Sequence, residues 1–126
     1  HVVSDNTGFG TRAADVLICE DGDPLEAIIN YYFEEKPAAT RQMGTQVERM
    51  ERLLDLVKQY KADGVVASRL YMCDLWAFEH FLMRKRLHEN NVPFLELEVD
   101  YTPEGQGQIK IRVQAFVESL ADRQTA

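Results

Sequence analysis

The sequence predicts a three-layer α/β domain with a short parallel sheet flanked by helices. Three observations lead there. Short apolar runs at residues 2–3, 64–68 and 93–99 suit buried strands. Between them lie longer stretches whose apolar residues recur at three- and four-residue steps, the period of a helix face. Turn and cap formers stand at most of the junctions. The order reads strand, helix, helix, strand, helix, strand, helix, which implies parallel pairing through right-handed crossovers.

Each element has its own justification. Val2 and Val3 are read as a first strand entering a loop of Ser4, Asp5, Asn6, Thr7, Gly8 and Gly10. The stretch Val16, Leu17, Ile18, Cys19 is expected in the core. Asp23 suits a helix cap, Pro24 the first helical position, and Glu26 the first turn. Leu25, Ile28, Ile29 and Tyr32 then share a face, and Pro37 marks the end. Residues 40–62 read as a long amphipathic helix in which Val47, Met50, Leu53, Leu54 and Val57 recur at three- and four-residue steps, with Glu, Arg and Lys between them. Asp63-Gly64 ends it, the glycine being free to turn left-handed. The strand 64–68 follows. Asp74 is placed as the cap of a helix over residues 75–90, stopped by Asn90 and Asn91. The strand 93–99 (PFLELEV) leads through a polar Gly/Pro loop to a last helix over residues 108–122. Residues 121–126 are expected to fray. No repeat or linker interrupts this order, so residues 1–126 are read as one domain.

Composition excludes several functions. Lys plus Arg is 14 against 21 for Asp plus Glu, a net charge of -7, so no basic surface for non-specific nucleic-acid binding is expected. No apolar run approaches the roughly 18 residues of a membrane-crossing helix. No charged-then-apolar leader follows His1, so no signal peptide is expected and the acidic balance suits a cytoplasmic protein. Two cysteines make neither a disulfide framework nor a four-thiolate site. The short length and the start at His1 lead us to expect a piece of a longer protein.

Ligands of open parallel sheets bind at the carboxyl ends of the strands, which here means residues 4–12, 69–74 and 100–107. The first loop holds Gly8-Phe9-Gly10-Thr11-Arg12, a loose likeness to a phosphate-binding turn that lacks the third glycine of the full pattern. The plainer reading is a tight connection. The second loop holds Cys73 between a strand and a helix start, where backbone N–H groups and the helix dipole favour a thiolate. A metal ligand, a nucleophile and an inert buried thiol all remain open there. The third loop offers Tyr101 and Gln108, with Arg112 one helical turn further on. Asn6, Thr11, Arg12, Tyr101, Gln108 and Arg112 are placed to contact a cofactor or substrate, or simply to cap and brace. His80 and His88, eight residues apart, are too far along a helix for one metal ion. Trp76, Phe78, Phe81 and Leu82 on the same helix read as core or interface.

The succession as a whole is familiar. Asp23-Pro24-Leu25-Glu26-Ala27 is followed by a long helix and Asp63-Gly64-Val65-Val66, then Tyr71-Met72-Cys73-Asp74. Val92-Pro93-Phe94 through Asp100-Tyr101 comes next, and the closing stretch Gly107-Gln108, Arg112, Ala115-Phe116, Glu118 has the form G-Q-x-x-x-R-x-x-A-F-x-E. Over nearly its whole length the chain resembles the C-terminal domain of the 2-hydroxyacyl-CoA dehydratase and benzoyl-CoA reductase family. The resemblance implies a Rossmann-like domain of a two-domain subunit, partnered by an N-terminal domain, a homologous second subunit and an ATP-dependent activator iron–sulfur protein. It implies a [4Fe-4S] cluster that passes a low-potential electron to an acyl-CoA thioester. Cys73 matches the family's C-terminal cluster cysteine. Many members carry a cysteine where this chain has Gly8. One thiolate is too few for a cubane that needs about four ligands, so the chain alone is expected to be inactive. Two rival readings are a non-catalytic interaction domain, docking a partner through the helix over residues 75–88, and a stand-alone thiol enzyme using Cys73.

Overall fold

The computed structural model describes residues 1–8, 10–13, 16–36, 44–102 and 105–125. The chain forms two compact units, residues 1–53 and 54–126.

In the first unit Asp5 organises the opening loop. Its carboxylate accepts from the backbone N–H of Thr7 (3.0 Å), the hydroxyl of Thr7 (2.8 Å) and the backbone N–H of Thr11 (3.2 Å). The Thr7 N–H and hydroxyl, then the Thr11 N–H, hold the Asp5 carboxyl below its ordinary range. A single 3-10 turn follows at Thr11–Ala13. Helix α1, Pro24–Asn30, starts as expected: the Asp23 carboxylate caps the N–H groups of Leu25 (2.7 Å) and Glu26 (3.2 Å), with Pro24 just inside. It continues as a wider π turn over Tyr31–Glu35. Tyr31 is buried and donates its hydroxyl to the Ala13 carbonyl at 2.6 Å. Helix α2, Gln46–Gln59, runs across the boundary of the two units. Its apolar face buries Met50, Leu53 and Leu54.

The second unit carries the sheet. Strand β1 (Val65–Leu70) and strand β2 (Phe94–Val99) pair in parallel, from Val65 opposite Phe94 to Leu70 opposite Val99. Helix α3 (Asp74–Glu89) makes the crossover, and helix α4 (Gln106–Thr125) follows β2. α3 packs across both strands and α4 along β2. Paired residues point to the same side, so Val65, Ala67, Arg69, Phe94, Glu96 and Glu98 share one face. That face meets α3, where His80 and Arg84 reach Glu96. Leu97, on the other face, is buried. Leu87, wholly buried, and Met83 anchor α3.

The α/β class and the parallel sheet agree with expectation, and several details do not. Among the described residues the sheet has two strands, not three. Val2 and Val3 form no strand and are 83% and 46% exposed, because no neighbouring strand pairs with them. The stretch Val16 to Cys19 is exposed rather than core, since it joins no helix or sheet that would cover it. α2 begins at Gln46, after a left-handed Gly44; residues 40–43 of the expected helix, Pro37 and Phe9 lie outside the described residues. The left-handed residue after α2 is Lys61, not Gly64. Gly64 serves a different need. A Cβ there would lie 2.8 Å from Phe116 Cζ, 3.1 Å from Leu120 Cδ2 and 3.2 Å from the Pro93 carbonyl oxygen. Close packing of α4, not a turn, demands the glycine. Cys73 rather than Asp74 occupies the cap position of α3, with no side-chain cap bond. α4 starts two residues early and stays helical to Thr125, so the expected frayed end is largely absent.

Candidate functional site

The β1–α3 turn and the β2–α4 loop open at the carboxyl end of the sheet. The Tyr71 N–H donates to the Val99 carbonyl (2.9 Å), which ties the two together. The turn is tight: the Cys73 N–H donates to the Leu70 carbonyl (3.1 Å), and Met72 sits in the left-handed region at φ 61°. A bulky residue rarely adopts that conformation, and such strain concentrates where a site is being shaped. Cys73 is half-buried, and its carbonyl accepts the Ala77 N–H (2.9 Å) of the first helical turn.

At the carboxyl end of β2 lies a cleft of about 360 Å³, lined by Glu98, Val99, Asp100, Thr102, Gly105, Gln106, Gln108, Ile109 and Arg112. Gly105 takes φ +96°, and its carbonyl accepts the N–H groups of Gln108 (3.0 Å) and Ile109 (3.1 Å). That turn starts α4 at the cleft floor with no acidic residue in its first turn. Arg112 lines the cleft and donates one Nη2 bond to the Glu96 carbonyl oxygen (2.6 Å).

Of the residues singled out in the sequence, Cys73, Gln108 and Arg112 come to this end of the sheet. Tyr101 is there too, but 86% exposed and outside the cleft lining. Asn6, Thr11 and Arg12 lie in the first unit. Arg12 Nε donates to Asn6 Oδ1 (3.3 Å) and its Nη2 to the Asn6 carbonyl, while Thr11 bonds Asp5 through its N–H and hydroxyl. Cys19 is exposed, with its thiol 3.7 Å from the Asp21 carbonyl.

Sequence reasoning missed a charged network beneath the site. Arg69 Nε donates to Glu96 Oε1 at 3.1 Å, and its Nη2 pairs with Glu98. Arg84 pairs with Glu96 Oε2. The hydrogen bond to Glu96, then the charges of Glu98 and Glu96, hold the Arg69 guanidinium more firmly protonated against the opposing effect of burial. His80 is 1% exposed, between the rings of Trp76 (5.8 Å) and Phe94 (6.2 Å). Its Nδ1 lies 3.4 Å from Glu96 Oε1, an ion-pair contact, and neither ring nitrogen makes a well-formed hydrogen bond. Burial pushes its pKa down. Burial also opposes ionisation of Glu96, but Arg69, His80 and Arg84 together hold its carboxyl below the ordinary value. The signal in the sequence was the matched parity of Arg69 on one strand and Glu96 and Glu98 on the next.

Among the described residues no group of three or more His, Cys, Asp or Glu side chains could hold a metal ion. Among the described residues no helix is long and apolar enough to cross a membrane.

Residues 1–120 match the family described as 2-hydroxyglutaryl-CoA dehydratase, D-component. Putative dehydratase subunit YjiM of Escherichia coli (strain K12) is 29% identical over 112 residues, 88% of this chain and 28% of that protein. The (R)-phenyllactyl-CoA dehydratase beta subunit of Clostridium sporogenes is 24% identical over 123 residues, 94% of this chain and 31% of that protein. The (R)-2-hydroxyglutaryl-CoA dehydratase subunit beta of Acidaminococcus fermentans is 31% identical over 72 residues, 57% of this chain and 19% of that protein. The chain thus spans less than a third of the length of these relatives. With a match along almost all of its residues, the chain belongs to the 2-hydroxyglutaryl-CoA dehydratase D-component family.

Proposed function

We propose that this chain is the C-terminal α/β domain of a cytoplasmic 2-hydroxyacyl-CoA dehydratase or benzoyl-CoA reductase subunit, and that Cys73 gives one thiolate to a [4Fe-4S] cluster. The observation that carries the reading is the position of Cys73, half-buried at the start of α3 and at the same sheet end as the cleft, in a chain matched to the family over residues 1–120. The other ligands come from the N-terminal domain of the same subunit. A bound cluster supplies a one-electron carrier of low potential. The residues of this chain do the rest: Arg69 on β1 adds a cation to the strand that leads into Cys73, and Gln108 and Arg112 offer donors to an acyl-CoA in the cleft. Tyr101, exposed at the same sheet end, is a further contact for that ligand, and Asn6, Thr11 and Arg12 are ligand contacts offered by the first unit. A homologous second subunit and an ATP-dependent activator complete the electron path.

The test uses the full-length subunit, reconstituted anaerobically with iron and sulfide. Cys73→Ser is expected to lower iron content and visible charge-transfer absorbance while leaving the far-ultraviolet circular dichroism unchanged. Unchanged iron content in the folded variant refutes the ligand role. Rapid alkylation of Cys73 with thioester turnover by the isolated chain points to the thiol enzyme instead.

A further inference from the structure

α3 is apolar on the side turned away from the sheet as well as on the side packed against it. Phe78 and Phe81 are 63% and 62% exposed, and Leu75 beside them is 57% exposed. At about 100° per residue, Phe78, Phe81 and Lys85 fall within about 60° of one another, nearly opposite the buried Met83 and Leu87. Leu75 and the half-buried Leu82 border the stripe. At its amino end it joins Tyr71 and Met72, 63% and 75% exposed. Lys85, at the carboxyl end of the stripe, has no ion-pair partner among the described residues, whereas Arg84 and Arg86 pair with Glu96 and Glu89. An exposed apolar stripe on the face of a helix turned away from its own sheet marks a surface that another body covers.

We infer that this face is an internal domain interface: the rest of the same subunit packs on it, bringing apolar side chains against Phe78 and Phe81 and a carboxylate against Lys85. Two observations favour that occupant. Relatives devote about 70% of their length to polypeptide outside the matched segment, enough for a further domain. The stripe also has the apolar character of a permanent interface, unlike dissociable ones, which are about as apolar as ordinary surface. The inference rests on the reading of the chain as one domain of a longer subunit, and it does not depend on the cluster.

The test is a photo-reactive phenylalanine analogue at position 81 of the full-length subunit, irradiated with its partner subunit present. The expected product keeps the mass of one subunit, and peptide mapping joins position 81 to a segment outside residues 1–126. A product with the mass of two chains, a cross-link inside residues 1–126, or no cross-link overturns the inference. In parallel, Phe78→Asp with Phe81→Asp is expected to speed proteolytic separation of this domain from the remainder at least tenfold. An unchanged rate overturns it. Cys73→Ser, which tests the cluster reading, should leave both readouts unmoved, so failure of one reading is told from failure of the other. A gene that encodes nothing beyond these residues refutes both.

Discussion

Replacing His80 by Phe separates the contribution of buried shape from that of buried polarity. The ring is 1% exposed, flanked by Trp76 and Phe94, and neither nitrogen is hydrogen-bonded. An unsatisfied buried polar group costs about 1–3 kcal/mol, and the 3.4 Å approach to Glu96 offsets only part of that. Phe keeps the ring and removes the polar atoms. Glu96 keeps Arg69 and Arg84 as partners. Stability at pH 7.5 is therefore expected to stay level or rise by about 1–2 kcal/mol. The pH dependence is the sharper readout. Burial lowers the pKa of His80 below its ordinary 6.5, so below that pH the unfolded chain binds a proton that the folded chain refuses. The wild type should lose stability as pH falls below 6.5, with a slope of at most about 1.4 kcal/mol per pH unit from this one group. Glu96 acts lower down. Its carboxyl is held below 4.5, so its contribution is complete above that pH and is lost as pH falls through its folded value. Urea denaturation at half-unit steps from pH 7.5 to 4 checks this. His80→Phe should abolish the upper loss and keep the lower one. If the variant retains the wild-type slope between pH 6.5 and 5, or is less stable by more than about 1 kcal/mol at pH 7.5, the reasoning is wrong.

Two further substitutions test the packing. Leu87→Ala removes a side chain with no exposed surface and should cost about 2–5 kcal/mol, read as a lower urea midpoint at constant slope. Gly64→Ala drives a methyl group into Phe116, Leu120 and the Pro93 carbonyl, and should cost about 1–3 kcal/mol. Because the Pro93 oxygen is backbone and does not swing aside, trimming Phe116 to Leu in the same chain should restore only part of that loss, as thermal unfolding would show.

The elements that the sequence revealed are those with strong local grammar. Asp23-Pro24-x-Glu26 specifies a helix start through its own hydrogen bonds, and the structure shows those bonds. Asn91 takes the left-handed conformation that ends α3. The Leu/Glu alternation of β2 was harder to interpret. It suggests that Leu95 and Leu97 face the core and that Glu96 and Glu98 face water. In a parallel sheet both faces are covered, and the glutamates turn to α3 because Arg69, His80 and Arg84 are waiting there. That pairing joins β1, α3 and β2, and no local window contains all three. The two exposed valines at the start illustrate the converse: β propensity needs a neighbouring strand before it becomes a strand. Gly64 shows that one glycine has several possible uses. Its role was settled by Phe116 and Leu120, more than fifty residues on.

Glu96 explains why the candidate site is built where it is. Its carboxylate gathers Arg69 from β1 and His80 and Arg84 from α3. Its carbonyl oxygen takes Arg112 from α4. One residue in the middle of β2 thus fixes both helices whose amino ends bound the carboxyl end of the sheet. α3 begins at Cys73 and α4 at the cleft, so the relation between the thiol and the cleft is set by a shared strut rather than by the loops themselves. Arg112 is part of that strut and part of the cleft wall at once. A guanidinium carries five N–H donors, and the bond to Glu96 engages one side of it. The same side chain can therefore brace α4 and still offer donors to a carbonyl or phosphate oxygen. Bracing α4 is thus compatible with the binding role proposed above, so the two uses posed by the sequence do not exclude each other.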